Sequence, residues 1–454
     1  MAAQLNPALS TIARQIESLL DAQDMASLRD LIARQHPADI ADILETLPEA
    51  QRVQLFSVLS TDVAAEVLDE TRTEATRELL DAIPGELAAD LLEVMPVDDA
   101  AELLSELPDE QAEEILALME PEEAADVGAL LAYPDNTAGR LMSTKVVRLK
   151  ADWTVEHTLQ YLRTIDPETE TFAYLYVVNG GGRLVGVVPL RALVLASPEK
   201  VLSEIMTPSV IAVGVDTDQE EVARQVAQYD FSAMPVVDRA GRLVGVITHD
   251  DVVDILQQEF TEDIQRLGGS QPLEGDYLST PVLTVARKRV GWLLVLFLTE
   301  MLTGTVMRLF ESELESVVAL AFFVPLLIGT GGNSGSQATS TIIRAIAVGE
   351  VHFKDTWRLL WHEARTGFML GVLMGMVGFV RALTWGSSIA LSATVGMALF
   401  TIVLWANMIG SLLPTLAARL KIDPAVISGP VMSTLVDATG LFIYFMLARL
   451  ILGL

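Results

Sequence analysis

Apolar and polar positions change their period along this chain, and each period predicts a different kind of element. From about His36 to Leu131 a phrase recurs as IPGELAADLLEVM, MPVDDAAELLSEL, LPDEQAEEILALM and EPEEAADVGALL, with Pro84, Pro96, Pro108 and Pro121 spaced 12, 12 and 13 apart. Paired Leu and Ala positions give each phrase one apolar helical face. The proline suits a first turn, where its missing N–H costs nothing, and the acids behind it suit the positive end of the helix dipole. Short helices of this kind stack into a solenoid.

Between Leu141 and Ile255 strands alternate with helices, and the pattern occurs twice. Gly182-Arg-Leu-Val-Gly-Val187 returns unchanged at Gly241 to Val246, LMSTKVV near Met142 is echoed by IMTPSVI near Met206, and FAYLYVV and FSAMPVV supply apolar strands. The repeat predicts two equivalent halves packed together. On these residues the segment resembles a pair of cystathionine-β-synthase (CBS) domains. The resemblance implies an adenine-nucleotide site at a Thr-x-x-Asp after the last strand. In the second copy this is Thr248-His-Asp-Asp251, whereas Pro189-Leu-Arg-Ala192 in the first copy lacks the acid. ATP is therefore expected, if at all, at Thr248 and Asp251, and a ligand-free repeat is the competing reading.

Next, Val252, Ile255, Leu256, Phe260, Ile264 and Leu267 fall at helical spacing, with Asp251, Asp254, Glu259, Glu262 and Asp263 on other faces. This predicts an acidic amphipathic connecting helix. Five apolar stretches follow, Val290 to Met307, Val317 to Ile343, Thr366 to Trp385, Ile389 to Ala417 and Pro430 to Leu454, each long enough to cross a bilayer. Arg287, Lys288, Arg289, Arg344, Lys354, Arg358, Arg365, Arg419 and Lys421 fall on one side, and Arg308, Arg381 and Arg449 on the other. The N-terminus is then cytoplasmic and the C-terminus outside.

The last span holds Asp437 and the first Glu300. A carboxylate at bilayer depth is expensive and normally faces water, a cation or a partner charge, which makes Asp437 the leading functional residue. Glu300 either lines the same path or pairs with a basic residue. The second span is uncharged but carries Gly329 to Gln337, a run of glycine and hydroxyl residues that predicts a break, with Pro325 able to kink the helix. Asn333, Ser334, Ser336 and Gln337 would offer oxygens to a pore; close helix packing is the alternative. Gly367, Gly371 and Gly375, spaced by four, predict packing. Asp423, Glu350 and Asp355 are expected at the cytoplasmic rim.

Charge sharpens this division. Of 30 basic and 61 acidic residues, 12 and 9 lie from Pro281 onward, net +3, which leaves 18 and 52, net −34, in the first 280. No basic patch suits nucleic acid. The absence of cysteine excludes disulfides, iron–sulfur clusters and thiolate zinc sites, and five histidines leave little for a soft metal. The N-terminal stretch lacks the order of a signal peptide, so the acidic half is expected in the cytoplasm. No nucleophile–base set suggests an enzyme. One acid per chain is a poor divalent site, but two chains about an axis would bring two Asp437 together. Hard oxygen ligands suit magnesium, which keeps most of its waters, although these residues alone do not choose among magnesium, calcium and manganese.

Tyr133-Pro-Asp-Asn-Thr-Ala-Gly-Arg-Leu-Met142, Thr261-Glu-Asp-Ile-Gln-Arg-Leu-Gly-Gly269, Pro325 through Gln337, and Ser428-Gly-Pro through Asp437-Ala-Thr-Gly440 occur in that order. On these motifs nearly the whole chain resembles the MgtE family of magnesium channels. The resemblance implies a multi-domain homodimer in the bacterial inner membrane: an α-helical N-terminal solenoid (1–135), α+β tandem CBS domains (136–250), an acidic plug helix (251–280) and an α-helical five-span transmembrane domain (281–454). It implies that Asp437 holds the pore ion. Glu66, Asp98 and Glu102, Asp218, Glu220 and Asp230, and Asp251, Glu259, Glu262 and Asp263 would bind regulatory magnesium, with Asp423 a further ligand. Ser336 departs from the family pattern, where asparagine is common. Abundant magnesium would bridge the acidic halves and close the pore. A proton-coupled divalent cation exchanger and a membrane-anchored nucleotide sensor are the alternatives.

Overall fold

The repeated phrases become short helices because each has one apolar face and a proline or acid at its start. A computed structural model describes residues 7–165, 173–273, 277–278, 280–420, 422–424 and 429–454; Lys421 and Ser428 lie outside the described residues. The chain forms two units, the first of residues 1–258 and 275–279, the second of residues 259–274 and 280–454.

In the first unit, α1 (Pro7–Asp21), α2 (Met25–Ile32), α3 (Pro37–Thr46), α4 (Glu49–Phe56), α5 (Thr61–Asp69), α6 (Thr73–Ala82), α7 (Gly85–Val94), α8 (Val97–Glu106), α9 (Asp109–Leu118) and α10 (Pro121–Leu131) form the helical solenoid. Pro84, Pro96 and Pro108 cap α7, α8 and α9, and Pro121 opens α10. α3, α5, α7 and α9 pack in a row, while α4 packs on α6 and α8 on α10. Leu91, Leu92, Leu103 and Leu104 point inward and share one core with Val213, Val222, Ile247 and Val252 of the repeat region.

After α11 (Ala138–Leu141) come β1 (Arg148–Lys150), α12 (Val155–Leu162), β2 (Tyr174–Val178), β3 (Leu184–Pro189), α13 (Leu190–Leu195) and α14 (Leu202–Ile205). The second copy is β4 (Val213–Gly214), α15 (Gln219–Tyr229), β5 (Ala233–Val237), β6 (Leu243–Thr248) and α16 (His249–Leu267). Each copy is a three-stranded sheet, β1-β2-β3 or β4-β5-β6, whose first pair is parallel and second antiparallel. Both sheets carry a register shift at the same place, Val177/Val178 and Val236/Val237. The copies are interlocked through the repeated hexapeptide: Gly186 makes room for Met206, and a Cβ at Gly245 would meet Met142 Sδ at 2.7 Å. Each glycine thus seats the methionine of the opposite copy.

The second unit holds α17 (Val282–Leu309), α18 (Glu311–Ser316), a 3₁₀ segment (Val318–Phe323), α19 (Val324–Ala347), α20 (Thr356–Thr384), α21 (Ile389–Arg419) and α22 (Gly429–Leu452). Among the described residues five helical stretches are long and apolar enough to cross a membrane, Val282–Leu309, Val318–Ala347, Phe353–Thr384, Ile389–Arg419 and Pro430–Leu452. The first and third start earlier than their apolar cores. Arg287, Lys288, Arg289, Arg358 and Arg365 extend the helix, with long side chains able to reach water from its end. α19 packs on α21 and α22, α20 on α21, and α17 on α22.

The expected break at Gly329 to Gln337 is not there: α19 is continuous, and Pro325 sits in its first turn, where no backbone bond is lost. The glycines serve close approach instead. A Cβ at Gly331 would meet Ile402 at 2.6 Å, one at Gly335 would meet Met432 at 2.7 Å, and one at Gly410 would meet the Gly335 carbonyl at 2.7 Å. The irregular backbone lies just before, in the 3₁₀ segment, where the Tyr444 hydroxyl donates to the Leu320 carbonyl at 3.1 Å. Gly371 and Gly375 pack as expected, since a Cβ at either would lie 2.7 Å from the carbonyl of Phe400 or Gly396. Gly375→Leu is expected to cost about 1–3 kcal/mol through overpacking. The thermal midpoint of the detergent-solubilised protein checks this, and an unchanged midpoint would rule out that contact.

Candidate metal centres

Three helices of the first unit point carboxylates toward one another. α8 places Asp98 and Glu102 one turn apart on one face, α5 ends at Asp69, and α16 begins with Asp251 and Asp254. Asp98 is only 8% exposed, and carboxylate oxygens of Asp98, Asp99 and Asp251 lie within 4.8 Å of one another. Asp251 is fixed by its own turn: Oδ2 accepts from the Thr248 amide at 2.8 Å and from Thr248 Oγ1 at 2.6 Å.

Such crowding holds protons. Asp69 keeps an exposed edge, yet the protein around it removes enough solvent, and Glu70, Glu102, Asp254 and Asp251 add enough negative charge, to push its carboxyl up to about 7. Loss of solvent, followed by Asp254 and Asp251, also raises Glu102, with Arg140 opposing. Burial likewise raises Asp251 and Asp254. Arg140 is itself buried and donates to the Ala101 carbonyl at 3.3 Å. A set of anionic oxygens this close fits a hard divalent cation, which takes oxygen ligands and repays their repulsion.

A stability prediction follows. These folded-state values lie above the ordinary carboxylate range, so between that range and about pH 7 the folded unit binds more protons than the unfolded chain, and its stability falls as pH rises through that window. The metal-free protein should therefore melt lower at pH 8 than at pH 6, and magnesium at pH 8 should restore the difference. Scanning calorimetry in chelator and in MgCl2 checks both; a midpoint indifferent to pH and magnesium would contradict the cluster.

The remaining candidates of the first unit lie apart. Glu66 is exposed on α5, outside the Asp98–Asp99–Asp251 set. Asp218 caps α15, accepting from the Glu220 amide at 3.0 Å, while Asp230 ends the same helix in the left-handed region, φ 53°. About 16 Å of helix separates these ends, so one chain does not combine them into one site. Sequence reasoning misses Asp69 and Asp99. Their signals are adjacency to Asp98 and helical spacing from Glu66.

In the second unit the end of α16 carries Glu259, Glu262, Asp263 and Arg266. Arg266 Nη1 bonds Asp423 Oδ2 at 2.8 Å, and Nη2 bonds Glu262 Oε2 at 2.7 Å. Asp263 is raised by burial and then by Asp423, against the pull of Arg266.

Asp437 lies within α22 opposite Gly332, where an added Cβ would sit 3.6 Å from Oδ1. That oxygen is buried and accepts no hydrogen bond among the described residues. Glu300 of α17 acts on it electrostatically. One turn earlier on α22, Ser433 Oγ meets Ser336 Oγ at 3.2 Å. Ser334 accepts from Asn407 Nδ2 at 2.7 Å and so faces α21, whereas Asn333 and Gln337 are exposed on α19.

Comparison with known proteins agrees with this division. Residues 324–447 match the MgtE divalent cation transporter family, residues 35–136 the MgtE intracellular N domain, and residues 138–199 and 202–258 the CBS domain. The chain is 45% identical over 324 residues to the magnesium transporter MgtE of Thermus thermophilus, covering 71% of this chain and 72% of that one. It is 35% identical over 319 residues to that of Bacillus subtilis, covering 70% of each. The crystal structure of the cytosolic domain of the Mg2+ channel MgtE in complex with ATP superposes with a TM-score of 0.52 at 39% identity, over 54% of this chain and 99% of that one. The soluble part of a magnesium transporter does so at 0.52 and 33%, over 55% and 99%. With its helical N-terminal domain, CBS pair and five apolar helices, the chain belongs to the MgtE family of divalent cation transporters, not to a family of enzymes.

Proposed function

We propose that this chain is a homodimeric magnesium channel of the bacterial inner membrane that admits Mg2+ to the cytoplasm, holds the permeating ion at Asp437, and closes when magnesium binds its acidic cytoplasmic residues. The observation that carries the reading is the buried Asp437 oxygen, within a helix long and apolar enough to span a membrane and lacking a hydrogen-bond donor among the described residues. At that depth a cation is the partner that stabilises it. A single carboxylate is a weak divalent site, and two copies of α22 about an axis supply a pair. Magnesium passes with most of its water, so Ser336, Asn333 and Gln337 act on the hydration shell, not as direct ligands. The cluster of Asp98, Asp99, Asp251 and Glu102 suits the closing ion, with Glu66, Asp218, Glu220, Asp230, Glu259, Glu262, Asp263 and Asp423 as further ligands. ATP occupies the second CBS copy at Thr248 and Asp251.

Proteoliposome uptake tests the class of transport. Magnesium entry that persists when the pH gradient is collapsed, from a protein that cross-links as a dimer, is the expected result. Uptake that requires a proton gradient makes the protein an exchanger, and a response to ATP without any uptake makes it a nucleotide sensor.

A further inference from the structure

The charges at the end of α16 do not wait for a metal. Arg266 places one guanidinium nitrogen on Asp423 and another on Glu262, at 2.8 and 2.7 Å, so one fork spans both carboxylates. Glu262 belongs to the same helix one turn earlier, and Asp423 follows α21. Asp263 lies beside them and feels the charges of Asp423, Arg266, Glu262 and Arg344.

We propose that Arg266 is a resident competitor for the regulatory cation at Glu262 and Asp423, and so sets the magnesium concentration at which the channel closes. This rests on the reading of those two acids as magnesium ligands. A guanidinium bridging both side chains and a divalent ion bridging the same two cannot coexist, because the positive charges would meet within contact distance. Two effects of removing Arg266 oppose each other. It would take away an ion-pair link that holds the end of α16, and it would release two carboxylates for metal. The first is offset in part: Arg266→Gln keeps a hydrogen-bonding side chain, and water reaches the released carboxylates, since the three side chains are 32%, 21% and 35% exposed. The second prevails, since a divalent ion draws most of its affinity from unneutralised carboxylates.

The test compares native full-length protein with Arg266→Gln, Arg266→Lys and Asp423→Asn. Magnesium binding is followed by titration calorimetry, amide exchange over residues 259–273 as magnesium rises, and uptake into proteoliposomes. Arg266→Gln should lower the half-closing magnesium concentration about threefold to tenfold, with the same shift in exchange protection, and Arg266→Lys should fall between. Asp423→Asn should raise it. An unchanged or higher midpoint in Arg266→Gln, with Asp423→Asn still raised, overturns the competition while leaving the ligand assignment intact. An Asp423→Asn midpoint equal to native overturns the ligand assignment itself. Matching melting temperatures of native and variants exclude misfolding as the source of any shift.

Discussion

Replacing Asp437 with alanine should lower magnesium uptake by about 100-fold or more while leaving the protein folded. An uncompensated carboxylate at membrane depth costs about 3 kcal/mol, a cation that compensates it recovers an energy of that order, and each 1.4 kcal/mol is a factor of ten. The fold should survive because Oδ1 accepts no hydrogen bond among the described residues, so its loss strands no donor there, and Gly332 opposite adds no side chain that must repack. Asp437→Glu, which keeps the charge but moves it outward, should retain part of the flux. Uptake by each variant, set against its thermal midpoint and elution volume, checks the claim. A folded Asp437→Ala protein with native uptake would remove the central residue.

The second large effect concerns closing. Asp98→Asn combined with Asp251→Asn should raise the cytoplasmic magnesium needed to close the channel by about 10–100-fold, the size of an ordinary coupling between two sites. Both carboxylates belong to the set whose oxygens lie within 4.8 Å, and amides of the same shape relieve the repulsion that the cation would otherwise relieve. Magnesium then favours the closed arrangement less strongly, and a smaller difference in affinity between two states needs more ligand to give the same shift. The same double variant should keep much of the pH dependence of melting, because burial still raises Asp69, Glu102 and Asp254. Flux measured against cytoplasmic magnesium reads the shift directly. An unmoved midpoint would place the sensor elsewhere.

Local pattern carries a good part of this molecule. The prolines at 84, 96, 108 and 121 mark the starts of their helices, Pro121 in the first turn as expected and the other three one residue earlier, at the cap, where the N–H is equally free, and the duplicated hexapeptide marks two sheets of equal topology because equal sequences fold alike. Its glycine hides its reason, however. Only the folded pair shows that Gly186 and Gly245 each receive a methionine from the other copy. The glycine-rich run of α19 reads the same in sequence whether it breaks a helix or lets one pack closely. The packing of Ile402 and Met432 onto it decides the question, and no local rule contains them. Asp437 is legible because a charge inside an apolar span is conspicuous. The acids of the first unit are not legible from local pattern, since dozens of similar residues surround them: Asp98 and Asp251 are named through the family resemblance alone, and only tertiary packing adds Asp99 to them. Arg266 is harder still: its partner Asp423 lies 157 residues away in the chain.

The most direct measurement is magnesium flux through native protein in oriented proteoliposomes as magnesium on the cytoplasmic-domain side rises from none. The account predicts high flux at first and a saturable fall as the acidic residues fill, with Asp437 required throughout. Flux that stays constant, or grows, as cytoplasmic magnesium rises would contradict closure by magnesium.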